Sequence, residues 1–169
     1  MSFWDKIKSE FAKGDSAVRQ IIMVNLAVFV FTIFVGVVAR VSGFQQGELL
    51  EYFYLPSNLS TLIIRPWTLV TNIFFHAGFW HIAGNLILLY FLGGILEEFL
   101  DNRKIWQLFF FGGLVGGLLY LFSYNVFPVF SDVVSTTKLL GASGGVTAII
   151  VACGVHLPYY NLRPFGLFN

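Results

Sequence analysis

Apolar residues along this chain gather into four blocks, at 21–42, 80–100, 105–127 and 141–159, each broken by few charges. A helix needs about 20 predominantly apolar residues to cross the hydrocarbon core of a bilayer, and each block meets or nears that length. No strand-like alternation competes with the helical reading, and no internal repeat is visible. Only "DNRK" at 101–104 separates the second block from the third, so those two form an antiparallel hairpin. The pattern predicts an all-α polytopic membrane protein with four transmembrane helices.

Composition moves this from a pattern to a class. Of 169 residues, 57% are hydrophobic and 18% aromatic, while only 11% are charged. Soluble domains carry about a quarter charged residues. A net charge of +1 without a basic run argues against nucleic acid as a partner. The single cysteine, Cys153, excludes an intrachain disulfide and a multi-cysteine metal site. The N-terminus shows no apolar h-region with a cleavage site, so no removable signal peptide is expected.

Charge then sets a direction. Lys6, Lys8, Lys13, Arg19, Arg103, Lys104 and Arg163 flank one side of the four blocks, and Arg40, Arg65 and Lys138 the other. Basic residues accumulate on the cytoplasmic side, which predicts that both ends of the chain are cytoplasmic. Residues 1–18 place Phe3, Trp4, Ile7 and Phe11 on one helical face. This predicts a short interfacial helix on the inner leaflet, with a solvated tail as the alternative. On the opposite side, 43–79 is long for a structureless loop. It holds Trp67, Phe74, Phe75 and Phe79, with Trp80 just beyond, and is expected to fold as a hairpin partly embedded in the outer leaflet.

With this direction, His76, His81 and Asn85 fall at or near the outer end of the second span, and Ser143 at the outer end of the fourth. Residues far apart in sequence thus share one membrane depth. His81 and Asn85 are spaced i, i+4 and project from one helix face. Polar groups inside a membrane either tie helices together or mark function, and spacing alone leaves both open. Two histidines and an asparagine are a poor metal set, so neither a metal nor a cofactor is expected. Gly112, Gly113, Gly116 and Gly117 on the third span, and Gly144, Ala148 and Ala152 on the fourth, read as close-packing positions.

Ser143 differs because it opens its helix, where unpaired N–H groups and the dipole favour an anion. An oxyanion formed by attack of Ser143 on a carbonyl would find donors there, with His81 and Asn85 supplying more. A serine also needs a base. His156 lies thirteen residues further on, about 20 Å along a helix, and cannot reach. His76 and His81 are only improvised candidates.

The stretch "RPWTLVTNIFFHAGFWHIAGNLILLYFLGGILEEFL", followed by "GASGG", resembles the rhomboid intramembrane serine proteases. His81 and Asn85 match the family's H-x-x-x-N element, and Gly141, Ser143 and Gly144 its G-x-S-G motif. The resemblance covers 19–169 and implies a rhomboid-like helical bundle, of whose six helices four are present. It implies Ser143 as nucleophile, with His81, Asn85 and the Ser143 N–H stabilising the oxyanion. The implied partners are transmembrane protein substrates, cleaved near the outer face of the bilayer. The implied location is the bacterial inner (plasma) membrane, as a multi-pass protein.

Two departures stand out. The family's general base is a histidine on the sixth span, which does not occur by residue 169, so the sequence is expected to be C-terminally truncated. An aromatic often found four residues after the serine is here Thr147. A catalytically inactive, client-binding relative is therefore the alternative to an enzyme. His76 matches an outer-loop histidine and carries no assigned role. Glu97 and Glu98, at the inner end of the second span, are expected to make capping contacts with Arg103, Lys104 or the inner loops.

Overall fold

The structure, a computed structural model, describes residues 16–43 and 49–157. Most of the expected interfacial segment, and the chain after Leu157, lie outside the described residues. Six helices are present in the described parts: α1, Ala17–Val41; α2, Leu59–Ile64; α3, Thr68–Thr71; α4, Phe79–Glu97; α5, Asn102–Val126; and α6, Ser143–His156. The helices α1, α4 and α5 are long and apolar enough to cross a membrane. At 14 residues, α6 spans about 21 Å, against about 30 Å of bilayer hydrocarbon.

Helix ends sit where side chains satisfy the free backbone groups. Ser16 caps α1, accepting from the Arg19 N–H at 3.2 Å, and donates its own hydroxyl proton to Glu97 at 2.7 Å. The other Glu97 oxygen accepts from the Val18 N–H at 3.2 Å. A carboxylate thus sits on the positive end of α1. The capping expected of Glu97 is directed at this N-terminus, and α1 starts at Ala17 rather than at 21. Asp101 caps α5 in the same manner, accepting from the Lys104 N–H at 2.9 Å. The polar turn is therefore already helical from Asn102.

Two contacts fix how α4 and α6 run. At one end, the His81 ring lies against Gly141, just before α6. Farther along, the Cys153 thiol donates to the Leu92 carbonyl at 3.1 Å, within a π-helical turn at Leu89–Gly93. Both helices advance by about the same number of residues between these points, so they run parallel. In contrast α5 is antiparallel to α6. A Cβ on Gly112 would come within 2.4 Å of the Ala148 Cβ, and one on Gly116 within 3.5 Å of the Gly144 Cα. Glycine here permits backbone-to-backbone packing, the common device of membrane helix pairs. One residue round the helix, Gly113 and Gly117 face Ile73 and Leu55 of the 49–78 loop instead. The four glycines therefore serve two neighbours.

That loop was expected as a hairpin. It folds instead as a string of short helical turns, because Asn58 caps α2 and apolar side chains find partners on α5. Its two-residue strand β1, Leu55–Pro56, pairs antiparallel with β2, Lys138–Leu139. Buried Ser57 donates to the Val134 and Thr137 carbonyls at 2.6 and 2.9 Å. The Asn125 amide donates to the Ser57 carbonyl at 2.9 Å. The loop is thereby fastened to the α5–α6 connection, which carries Ser143 at its far end. The core between these parts includes Ile21, Ile73, Leu89, Phe109, Val146 and Ile149.

Candidate active site

The site is built around a glycine. Gly141 has a φ of +137°, a conformation that L side chains rarely adopt. A Cβ there would lie 2.8 Å from His81 Cε1, 2.9 Å from His81 Nε2 and 3.7 Å from the Ser143 hydroxyl oxygen. Imidazole and hydroxyl thus flank one small volume, which Gly141 leaves open. Their Nε2-to-Oγ separation cannot exceed the sum of the last two distances.

Two hydrogen bonds hold this turn. The Gly141 N–H donates to the Asn72 carbonyl at 2.9 Å. The Ala142 N–H donates to His76 Nε2 at 3.4 Å. His76 is buried, and its Nδ1 makes no hydrogen bond among the described residues. Its ring meets the His81 ring edge-on, with centroids 5.1 Å apart. Burial above all, with His81 adding to it and the Phe74 backbone opposing it, lowers the His76 pKa to about 4. A neutral ring has the lone pair that Ala142 needs.

Ser143 begins α6, and the preceding Ala142 offers no side-chain cap. The first-turn N–H groups have no acceptor inside the helix, so this end carries partial positive charge beside the Ser143 hydroxyl. Asn85 sits one turn below His81, buried, and its amide donates to the His81 carbonyl at 3.0 Å. One of its two amide hydrogens is committed in this way. His156 stands exposed at the opposite end of α6, its Nδ1 3.1 Å from the Ala152 carbonyl. The structure therefore brings His81, Gly141 and Ser143 together, attaches Asn85 through His81, and leaves His156 remote.

Ser143 and Thr147 are exposed on one side of α6. They line a groove of about 800 Å³ between α5 and α6, together with Gly112, Gly116, Gly141 and Ala148. No three metal-binding side chains cluster among the described residues. Sequence reasoning missed Asn72, which acts through its backbone carbonyl and so leaves no mark on residue type. It named His76 but could not see the ring turned toward Ala142.

A family model of the rhomboid domain matches residues 65–168, more than half of the chain. The chain belongs to the rhomboid family. None of the curated proteins matches it. Members of this family are generally serine proteases that work within membranes. The three long apolar helices and the family together make this rhomboid protein an integral membrane protein.

Proposed function

We propose that this rhomboid protein is a serine endopeptidase that cleaves transmembrane segments near the outer face of the membrane. The observation that carries the reading is the placement of the His81 ring and the Ser143 hydroxyl around Gly141. In this reading Ser143 Oγ attacks the scissile carbonyl carbon and passes its proton to a base. The carbonyl oxygen becomes an oxyanion, held by the Ser143 N–H, His81 Nε2–H and the free amide hydrogen of Asn85. Donors fixed before the charge develops need no reorganisation, which makes such a set a large catalytic contribution. The intermediate collapses to an acyl-enzyme as the amine leaves with a proton, and water then releases the acid.

The described histidines supply no suitable base: His76 is engaged by Ala142, His81 belongs to the oxyanion set and His156 is remote. In this reading the base comes from a later helix, as the family resemblance implies, and the open groove beside Ser143 is compatible with an approach from that side. The short α6 supports a nucleophile set below the membrane surface, its N-terminus on the side opposite the cytoplasmic ends of the chain. Substrates whose helices unwind readily are favoured, because a regular helix ties up its own carbonyls.

The test is cleavage of a single-span reporter by the product of the complete reading frame. Ser143→Ala is expected to abolish cleavage while the protein still accumulates and unfolds at an unchanged temperature. Cleavage that persists in the variant would overturn the reading. A wild type that captures the reporter without cutting it would support the inactive, client-binding alternative.

A further inference from the structure

A second cavity, of about 410 Å³, opens in the loop region and shares no residue with the Ser143 cluster. Its walls include Glu51, Asn58, Thr61, Arg65, Thr137 and Lys138. Lys138 closes an ion pair with Glu51. Arg65 pairs with the same carboxylate more loosely, its Nη1 3.8 Å from Glu51 Oε1, beyond hydrogen-bond length. The guanidinium lies over the Tyr52 ring, its carbon 3.9 Å from the ring centroid. Its five N–H groups make no hydrogen bond among the described residues. Two cations against one carboxylate leave the lining with a net positive charge.

Outside this lining, Ile63 and Ile64 on α2 are 79% and 73% exposed, and Leu59, Tyr52 and Trp67 are exposed as well. The Trp67 indole N–H donates to the Tyr52 carbonyl at 2.8 Å, so both aromatics are held in place. Aromatic residues with apolar bodies and polar tips belong at the boundary of hydrocarbon and headgroups. An arginine with hydrogen-bond donors to spare, a lysine and the exposed apolar side chains of the neighbouring helix α2 together match a phosphodiester that carries acyl chains.

We propose that this cavity binds the phosphate of a membrane glycerophospholipid, with Arg65 and Lys138 as donors and the acyl chains lying along α2. Free phosphate would satisfy the two cations but leave the exposed apolar side chains of α2 uncovered, so a lipid is the occupant that uses both features. The proposal makes no use of Ser143 and stands apart from the protease reading.

The test is thermal unfolding of the detergent-purified chain against increasing dioctanoyl-phosphatidylglycerol at fixed detergent. The expected result is a saturable rise in Tm, with a midpoint raised about tenfold by Arg65→Gln and about threefold by Lys138→Gln. Dioctanoylglycerol, which lacks the phosphate, and glycerol 3-phosphate, which lacks the chains, are each expected to give no saturable rise. Equal stabilisation by dioctanoylglycerol would overturn the proposal in favour of a bare apolar surface. Equal stabilisation by glycerol 3-phosphate would overturn it in favour of a soluble-anion site. An Arg65→Gln midpoint within about twofold of wild type would also overturn it. Should that variant not accumulate, Arg65→Lys keeps the charge without the planar fork, and an unchanged midpoint there would overturn the proposal equally. Ser143→Ala is expected to bind lipid as wild type does, so a failure of the protease reading leaves this result untouched.

Discussion

The backbone N–H of Ala142 donates to Nε2 of His76, so a loop histidine grips the residue directly before Ser143. The same ring meets His81 edge-on. Both groups of the candidate site therefore rest on one buried imidazole. Protonation of Nε2 would remove the acceptor and bury a charge.

This gives a pH dependence of definite sign. The folded His76 pKa is lowered from 6.5 to about 4, so between those values the unfolded chain binds more protons than the folded one. Stability from this group is therefore complete above about 6.5 and falls as pH drops toward 4. Thermal unfolding across pH 4 to 7 is expected to show the loss in wild type and a smaller loss in His76→Gln. Identical slopes in the two proteins would contradict the assignment.

Gly141→Ala combines two penalties, an unfavourable φ and a Cβ within 3 Å of the His81 ring. The strain at such a backbone position costs about 1–3 kcal/mol, and forced overpacking adds about as much again. Reporter cleavage is expected to disappear, with a drop in Tm. Retained activity at unchanged stability would show that the Gly141 turn is softer than its contacts imply.

A glycine pair separates packing from propensity. Gly112→Ala would place a Cβ 2.4 Å from the Ala148 Cβ, whereas one on Gly84 meets nothing within 4 Å. The first substitution is expected to destabilise by about 1–3 kcal/mol. The second is expected to be neutral or stabilising by up to about 1 kcal/mol, as alanine is the better helix former. Unfolding in detergent distinguishes them, and equal effects would contradict the α5–α6 contact.

Asn85→Ala is expected to cost about 3 kcal/mol of transition-state stabilisation, about a hundredfold in kcat. Stability should fall less, because the amide bond to His81 lies within one helix. Loss of accumulated protein with unchanged turnover per folded molecule would assign Asn85 to packing instead.

The sequence made the long helices legible because each needs only an uninterrupted apolar run, and α1, α4 and α5 are such runs. Their ends were less so. α1 begins four residues before the predicted block because Ser16 caps it and Glu97, eighty residues away, accepts from the Ser16 hydroxyl and the Val18 N–H. α6 begins at Ser143 rather than at 141 because Gly141 takes a backbone conformation that no hydropathy pattern reports. The loop was misjudged as a hairpin because its strand pairs with residues 138–139, a partner beyond local pattern. Ser143, His81 and Asn85 were visible as costly polar groups at one depth. Asn72 was not, since any residue offers a carbonyl, and the direction of the His76 ring is set only in three dimensions.

The central claim is that the Ser143 hydroxyl is the attacking group, and mapping a covalent adduct tests it most directly. The protein from its complete reading frame, treated with a fluorophosphonate in native membranes and digested for mass spectrometry, is expected to carry the phosphonyl group on Ser143. His81→Ala and Asn85→Ala should label several-fold more slowly. An adduct on any other residue, or equal labelling of Ser143→Ala, would contradict the account.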